Sequence, residues 1–193
     1  MSNIRLDFDI EAPIEKVYVA ITQASGVQGW WTTDTDLEAE EGSAARFGFG
    51  PHGEMKFTVA KLESNKHVRW DSVSAPPPDW QGTHVTFDLE SGENGGTKVK
   101  FAHKDFSTEE GSFGSVSFQW AFFMGSLKSY VETGQGMPAS DPAFKGTQSP
   151  AGWLLPGRPL PLLPVTLPHR PGQLARMLRG GAGEVAIDLL QVG

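Results

Sequence analysis

SVSFQWAFFMGSLKSYVETG, residues Ser115–Gly134, is the one long stretch of this chain with a sustained helical period. Val116, Trp120, Phe123, Met124, Leu127 and Val131 recur at the spacing that lines one face of an α-helix. Ser115, Gln119, Ser126, Lys128, Ser129 and Glu132 fall mostly on the other faces. Gly134 and Gly136 supply a stop, with Pro138 just beyond. A helix with so wide an aromatic stripe needs a sheet to lie on. The spacing therefore predicts a curved sheet wrapped around this helix, provided that the preceding residues form strands.

They read that way. Ile4, Leu6, Phe8 and Ile10 alternate with Arg5, Asp7 and Asp9, as in a half-buried strand. Pro13 suits the first turn of a helix whose apolar face is Ile14, Val17, Tyr18, Ile21 and Ala24, with Gly26 expected to end it. A short helix or turn through Val27–Thr32 carries Trp30 and Trp31. Alternation then returns at Ala45, Phe47 and Phe49, at Met55, Phe57 and Val59, at Val68, Trp70 and Ser72, at Val85, Phe87 and Leu89, and at Val99, Phe101 and His103. Ser64-Asn65 and Glu93-Asn94-Gly95-Gly96 read as hairpin turns, and Pro76–Trp80 as a loop, since prolines donate nothing to a ladder. Consecutive hairpins imply an antiparallel sheet, and a helix stripe against one sheet face places the chain in the α+β class.

Composition narrows the function. The chain has no cysteine, which excludes disulfides, thiolate metal sites and a cysteine nucleophile and fits a reducing, cytoplasmic location. The opening MSNIRLDFDIEAP carries acids early, so no signal peptide is expected, and no apolar run approaches the roughly 18 residues of a membrane span. A net charge of −7 argues against nucleic-acid binding. The charge is uneven. Residues 144–193 carry Lys145, Arg158, Arg170, Arg176 and Arg179 against only Glu184 and Asp188, and seven of the 14 prolines. That shift sets a boundary near 141: a domain over 1–140 and a Pro/Gly-rich extension over 141–193. The extension is expected to be disordered or loosely docked. A change of reading frame near the end of the domain would produce the same break.

Four stretches, in this order and spacing, resemble the SRPBCC superfamily, also called START-like or Bet v 1-like. They are DIEAPIEKVYVAIT after the opening strand, GWWT at Gly29–Thr32, VKFAHKDF at Val99–Phe106, and WAFFMGSLKSYVETGQGMP at Trp120–Pro138. The branch they resemble is that of the activator of heat-shock protein 90 ATPase homologues. The resemblance covers about residues 1–140. It implies a helix-grip fold, a bent antiparallel sheet holding the C-terminal helix with an apolar cavity between them. Many members bind small apolar molecules there, others act on chaperones, and a few catalyse cyclisation or related reactions.

On that reading Trp30, Trp31, Phe47, Phe57, Trp70, Phe87, Phe101, His103, Trp120, Phe123 and Met124 line the ligand site, with Trp30 and Trp31 near its mouth. Such a pocket is mostly apolar with few placed polar groups. His103 shares a strand face with Val99 and Phe101. It is the polar contact and, in an enzyme of cyclase or dehydratase type, the candidate acid/base. Ordinary core packing of the aromatics and a histidine satisfied by its own neighbours are the competing readings. His52, Glu54 and His84 have no spacing that makes a metal site, the glycines at 48, 50 and 53 form no phosphate loop, and no GxSxG marks a nucleophile. No metal, cofactor or catalytic set is therefore expected. The acids Asp34, Asp36, Glu38, Glu40 and Glu41 read as a solvated strand edge or a docking face for a basic partner. The expected function is binding of a hydrophobic or amphipathic small molecule. The alternatives are a chaperone-regulating module and the cyclase/dehydratase-type enzyme.

Overall fold

The computed structural model describes residues 1–139. The extension over 141–193 lies outside the described residues. The elements run β1 (Ser2–Ile10), α1 (Ile14–Thr22), α2 (Ala24–Gln28), β2 (Asp34–Leu37), β3 (Ala44–Gly48), β4 (Glu54–Glu63), β5 (His67–Ser74), β6 (His84–Ser91), β7 (Thr97–Phe106) and α3 (Phe113–Thr133). The strands form one antiparallel sheet in the order β1-β7-β6-β5-β4-β3-β2. From β2 to β7 this is a simple meander, and β1 closes the far side by pairing with β7, Leu6 opposite Phe101. The α+β helix-grip fold is thus present, with α3 on the face of the sheet that carries Phe47, Phe57, Trp70, Phe87 and Phe101. No helix among the described residues is long and apolar enough to cross a membrane.

Local chemistry accounts for the turns. Asn65 (φ +58°) joins β4 to β5, while Asn94 (φ +51°) and Gly95 (φ +79°) join β6 to β7. Asparagine and glycine tolerate the left-handed region that such turns require. β4 stays one strand because a register shift between Val59 and Lys61 absorbs Ala60 and returns Leu62 opposite Val68. The acidic edge is as read: β2 is the outermost strand, and Asp34 is bound to Arg46 at 2.7 Å.

Three local expectations change. α1 ends at Gln23 (φ −100°, ψ 140°), and Gly26 lies inside α2. Gly26 is needed there for close approach, because a Cβ would stand 2.7 Å from Ala20 Cα and from the Val19 carbonyl. α3 begins two residues early, at Phe113, and ends as expected at Gly134 in the left-handed conformation. Its buried stripe is Val116, Trp120, Phe123, Met124, Ser126 and Leu127, so a serine joins the core side and Val131 is only partly covered.

Ser126 is buried because the chain folds back over it. Its hydroxyl donates to the Trp30 carbonyl (2.8 Å) and accepts from the Met137 N–H (2.6 Å), while the Ala139 N–H donates to the Trp31 carbonyl (2.8 Å). Gly136 passes so close to Gly29 that a Cβ would overlap the Gly29 carbonyl. On the other side the Tyr130 ring occupies the space where a Gly29 side chain would begin. Residues 135–139 therefore strap the Gly29–Trp31 turn against α3.

Candidate functional site

The space between sheet and helix is aromatic. Trp30, Trp31, Phe47, Phe57, Trp70, Phe87, Phe101, His103, Trp120, Phe123 and Met124 are all buried there. Inward positions of β3 to β7 supply the sheet side, and Trp120, Phe123 and Met124 supply the helix side. Trp31 is the hub. It stacks nearly parallel on Trp30 (5.8 Å between centroids, 11°) and on Trp70 (6.0 Å, 8°), and its ring lies 4.5 Å from Phe47 and 5.1 Å from Trp120. The expected position of Trp30 and Trp31 near a mouth does not hold. The strap over Gly29–Trp31 drives both rings inward, and the Trp30 indole is fixed by donating to the Ala20 carbonyl at 2.9 Å.

His103 lies on the same inner face, buried, with both ring nitrogens engaged. The Trp120 indole N–H donates to Nδ1 at 3.1 Å. An indole nitrogen only donates, so Nδ1 carries no proton and the imidazole proton sits on Nε2. Nε2–H then donates to Thr83 Oγ1 at 2.8 Å, and that hydroxyl donates to the Trp80 carbonyl at 2.6 Å. Burial pushes the imidazole down to about 3; the nearby His84 adds to this and Asp79 opposes it. A second proton on His103 would meet the Trp120 N–H head-on. The geometry holds the ring as a neutral relay between helix, strand and loop.

That loop is the one expected at Pro76–Trp80, but the burial of its tryptophan was not expected. Pro78–Trp80 form a single 3-10 turn whose Trp80 side chain is buried, edge-on to His103 at 4.6 Å and 6.3 Å from Phe57. Its backbone bonds from Trp80, Gln81 and Thr83 go to Pro77, Pro78 and Trp80, inside the loop itself. The Asp79 carboxylate fastens it to the start of α3, accepting from the Ser112 N–H (3.0 Å) and the Ser112 hydroxyl (2.8 Å). The signal was present: a tryptophan after three prolines is too large an apolar group to leave in water. Phe106, Thr83 and Ser126 were missed for the same reason, since their burial depends on which segments come to lie over them.

The remaining candidates are peripheral. Gln119 is half-buried on α3. His52 ends a short turn, Glu54 pairs with Lys56, and His84 pairs with Asp105 at 3.0 Å on the outer face. Among the described residues no three His, Asp or Glu side chains converge as metal ligands would. The Arg46 hydrogen bond holds Asp34 below the usual carboxylate range, and the Leu62 N–H and Lys61 do the same for Glu41. On the outer face Arg5, Asp7, Asp88, Lys100, Ala102 and Lys104 border a shallow groove of about 260 Å³ with charges of both signs.

Residues 11–132 match the family model described as activator of Hsp90 ATPase homologue 1-like protein. Among solved structures the chain is similar to the Aha1 dimer from Colwellia psychrerythraea, with 36% identity over 70% of this chain and 100% of that one and a TM-score of 0.64. A protein from Staphylococcus saprophyticus, SSP2350, is 20% identical over 70% of this chain and 96% of its own, with a TM-score of 0.59. DynU16, a protein in the dynemicin biosynthetic locus, is 21% identical over 70% of this chain and 49% of its own, with a TM-score of 0.59. The last two likenesses show the fold alone. No curated protein matches the chain.

Proposed function

The chain belongs to the activator of Hsp90 ATPase homologue 1-like family, within the SRPBCC superfamily, and on that premise we propose that it is a cytoplasmic protein that binds a hydrophobic or amphipathic small molecule between sheet and helix. The observation that carries this reading is the interior itself. Trp31, Trp70, Trp80 and Trp120 stand with Phe47, Phe57, Phe87 and Phe101 in one buried cluster whose end is closed by a loop and not by a regular element. Stacked and edge-on rings present flat, polarisable faces that suit an apolar guest. The loop around Trp80 is the natural door, because the N–H groups of Trp80, Gln81 and Thr83 bond within the loop, and its ties outward are few: the Thr83 carbonyl to the Ser72 N–H, the Thr83 hydroxyl to His103 and the Asp79 carboxylate to Ser112. His103 serves as a structural relay in this reading, so the protein binds without committed catalysis.

Tryptophan fluorescence tests the reading. Titration with a panel of fatty acids, sterols and polycyclic aromatics is expected to give a saturable change with at least one class. No saturable response across the panel would overturn it.

A second reading, a chaperone-regulating module, is favoured by one observation: the outermost strand and the turn after it expose Asp36, Glu38 and Glu40 beside the Asp34–Arg46 pair, a face suited to a basic partner. It predicts that the protein raises ATP turnover by its host's heat-shock protein 90. Unchanged turnover removes it.

A further inference from the structure

Among the described residues, four buried side-chain polar atoms make no hydrogen bond: Trp70 Nε1, Ser72 Oγ, Trp80 Nε1 and Thr86 Oγ1. Three of the four belong to residues that neighbour Phe57. The Trp70 and Trp80 rings each lie 6.3 Å from Phe57, and Ser72 is the residue opposite Phe57 across the β4–β5 ladder. Thr86 is separate, since it alternates with Val85 and Phe87 and so belongs to the outer face.

The pattern is selective. Trp30 and Trp120 lie in the same interior and both have acceptors, the Ala20 carbonyl and His103 Nδ1. Trp70 and Trp80 are as deeply buried and have none. Each unmet buried donor is costly, and native interiors leave few of them. An indole nitrogen can only donate, so the missing partner must be an acceptor. The Ser72 hydroxyl can donate as well.

Charge then selects the kind of acceptor. No buried Lys or Arg occurs among the described residues, and the one buried imidazole is held neutral by the Trp120–His103–Thr83 relay. A carboxylate or phosphate placed here would be an uncompensated buried anion, which costs far more than an unpaired dipole. We infer that the polar end of the bound molecule is a neutral carbonyl oxygen, of a ketone, ester or amide, received beside Phe57 by the indole N–H groups of Trp70 and Trp80 and the Ser72 hydroxyl. This rests on the proposed binding of a small molecule between sheet and helix, and adds the chemistry of its polar end.

Three probes on one skeleton separate the two claims: 2-acetylnaphthalene, 2-naphthoate and 2-ethylnaphthalene, titrated calorimetrically into the full-length protein. The ketone is expected to bind about tenfold more tightly than the hydrocarbon, the worth of one or two neutral hydrogen bonds, and more tightly than the carboxylate. Trp80→Phe is expected to bring the ratio of ketone to hydrocarbon affinity close to one, whatever it does to either affinity alone. In 15N-labelled protein the Trp70 and Trp80 indole N–H resonances are expected to move downfield with the ketone and not with the hydrocarbon. Equal affinity for ketone and hydrocarbon with both resonances unmoved overturns the carbonyl seat and leaves the apolar site standing. Tighter binding of the carboxylate overturns the neutral-acceptor assignment. Failure of all three probes to bind counts against the binding reading as well as the seat.

Discussion

At the scale of single residues, buried polar groups decide more here than the apolar ones that fill the interior. An unfolded histidine titrates near 6.5, and His103 in the folded chain at about 3. Below about pH 6.5 the unfolded chain therefore binds a proton that the folded chain refuses. The stability that neutral His103 contributes is complete above that pH and is lost as pH falls toward about 3, at about 1.4 kcal/mol per pH unit. Denaturant titrations at pH 7 and pH 5 should show a larger loss for the wild type than for His103→Gln, which keeps one acceptor and one donor but has no proton to gain. Equal losses would mean that the relay does not hold the ring neutral. Ser126 gives a second test. Ser126→Ala leaves the Trp30 carbonyl and the Met137 N–H without their shared partner, so urea unfolding should report a loss of about 1–3 kcal/mol. A change below a few tenths would show that water replaces the hydroxyl.

At the scale of elements, two irregular segments pack against the aromatic cluster. Residues 135–139 strap the Gly29–Trp31 turn to α3 with no room at Gly136. Gly136→Ala should displace the strap from the Gly29–Trp31 turn, seen as a red-shifted tryptophan emission together with lower stability. Unchanged emission would place the strap outside the control of Trp31. In the second segment Asp79 latches the Trp80 loop to Ser112. Removing a charge-assisted tie of this kind releases about 1.5–3 kcal/mol locally. Asp79→Ala should therefore speed amide exchange at Trp80–Thr83 about tenfold or more while core strands exchange as before. If the rates are unchanged, packing of the Trp80 ring alone holds the loop.

At the scale of the whole molecule, the meander and its helix form a closed helix grip within residues 1–139. β1, β7 and α3 return the chain to where it began, with Lys128 donating to the Asp9 carbonyl at 2.6 Å and Glu132 accepting from the Glu11 N–H at 2.7 Å. A chain ended at residue 140 is therefore expected to unfold in one transition at the same denaturant midpoint as the full-length protein. A broadened or shifted transition would show that residues 141–193 contribute to the fold.

What the sequence determined by itself was the architecture and the membership of the interior. Period-2 alternation from Ile4 to His103 and the helical stripe from Val116 to Leu127 assign side chains to faces, and a face once apolar has only one place to go. Turn residues such as Asn94 and Gly95 carry their own conformational preference, so the hairpins were legible too. Tertiary structure alone decided the rest. Nothing in a local pattern states that Trp80 folds in from a proline loop or that Ser126 is covered by a returning strand of chain. Nor does it state that Trp30 and Trp31 go to the centre, or that His103 meets Trp120 and Thr83. Each is a contact between segments far apart in sequence, set by where backbone polar groups and large rings find their partners once the sheet has curved around the helix.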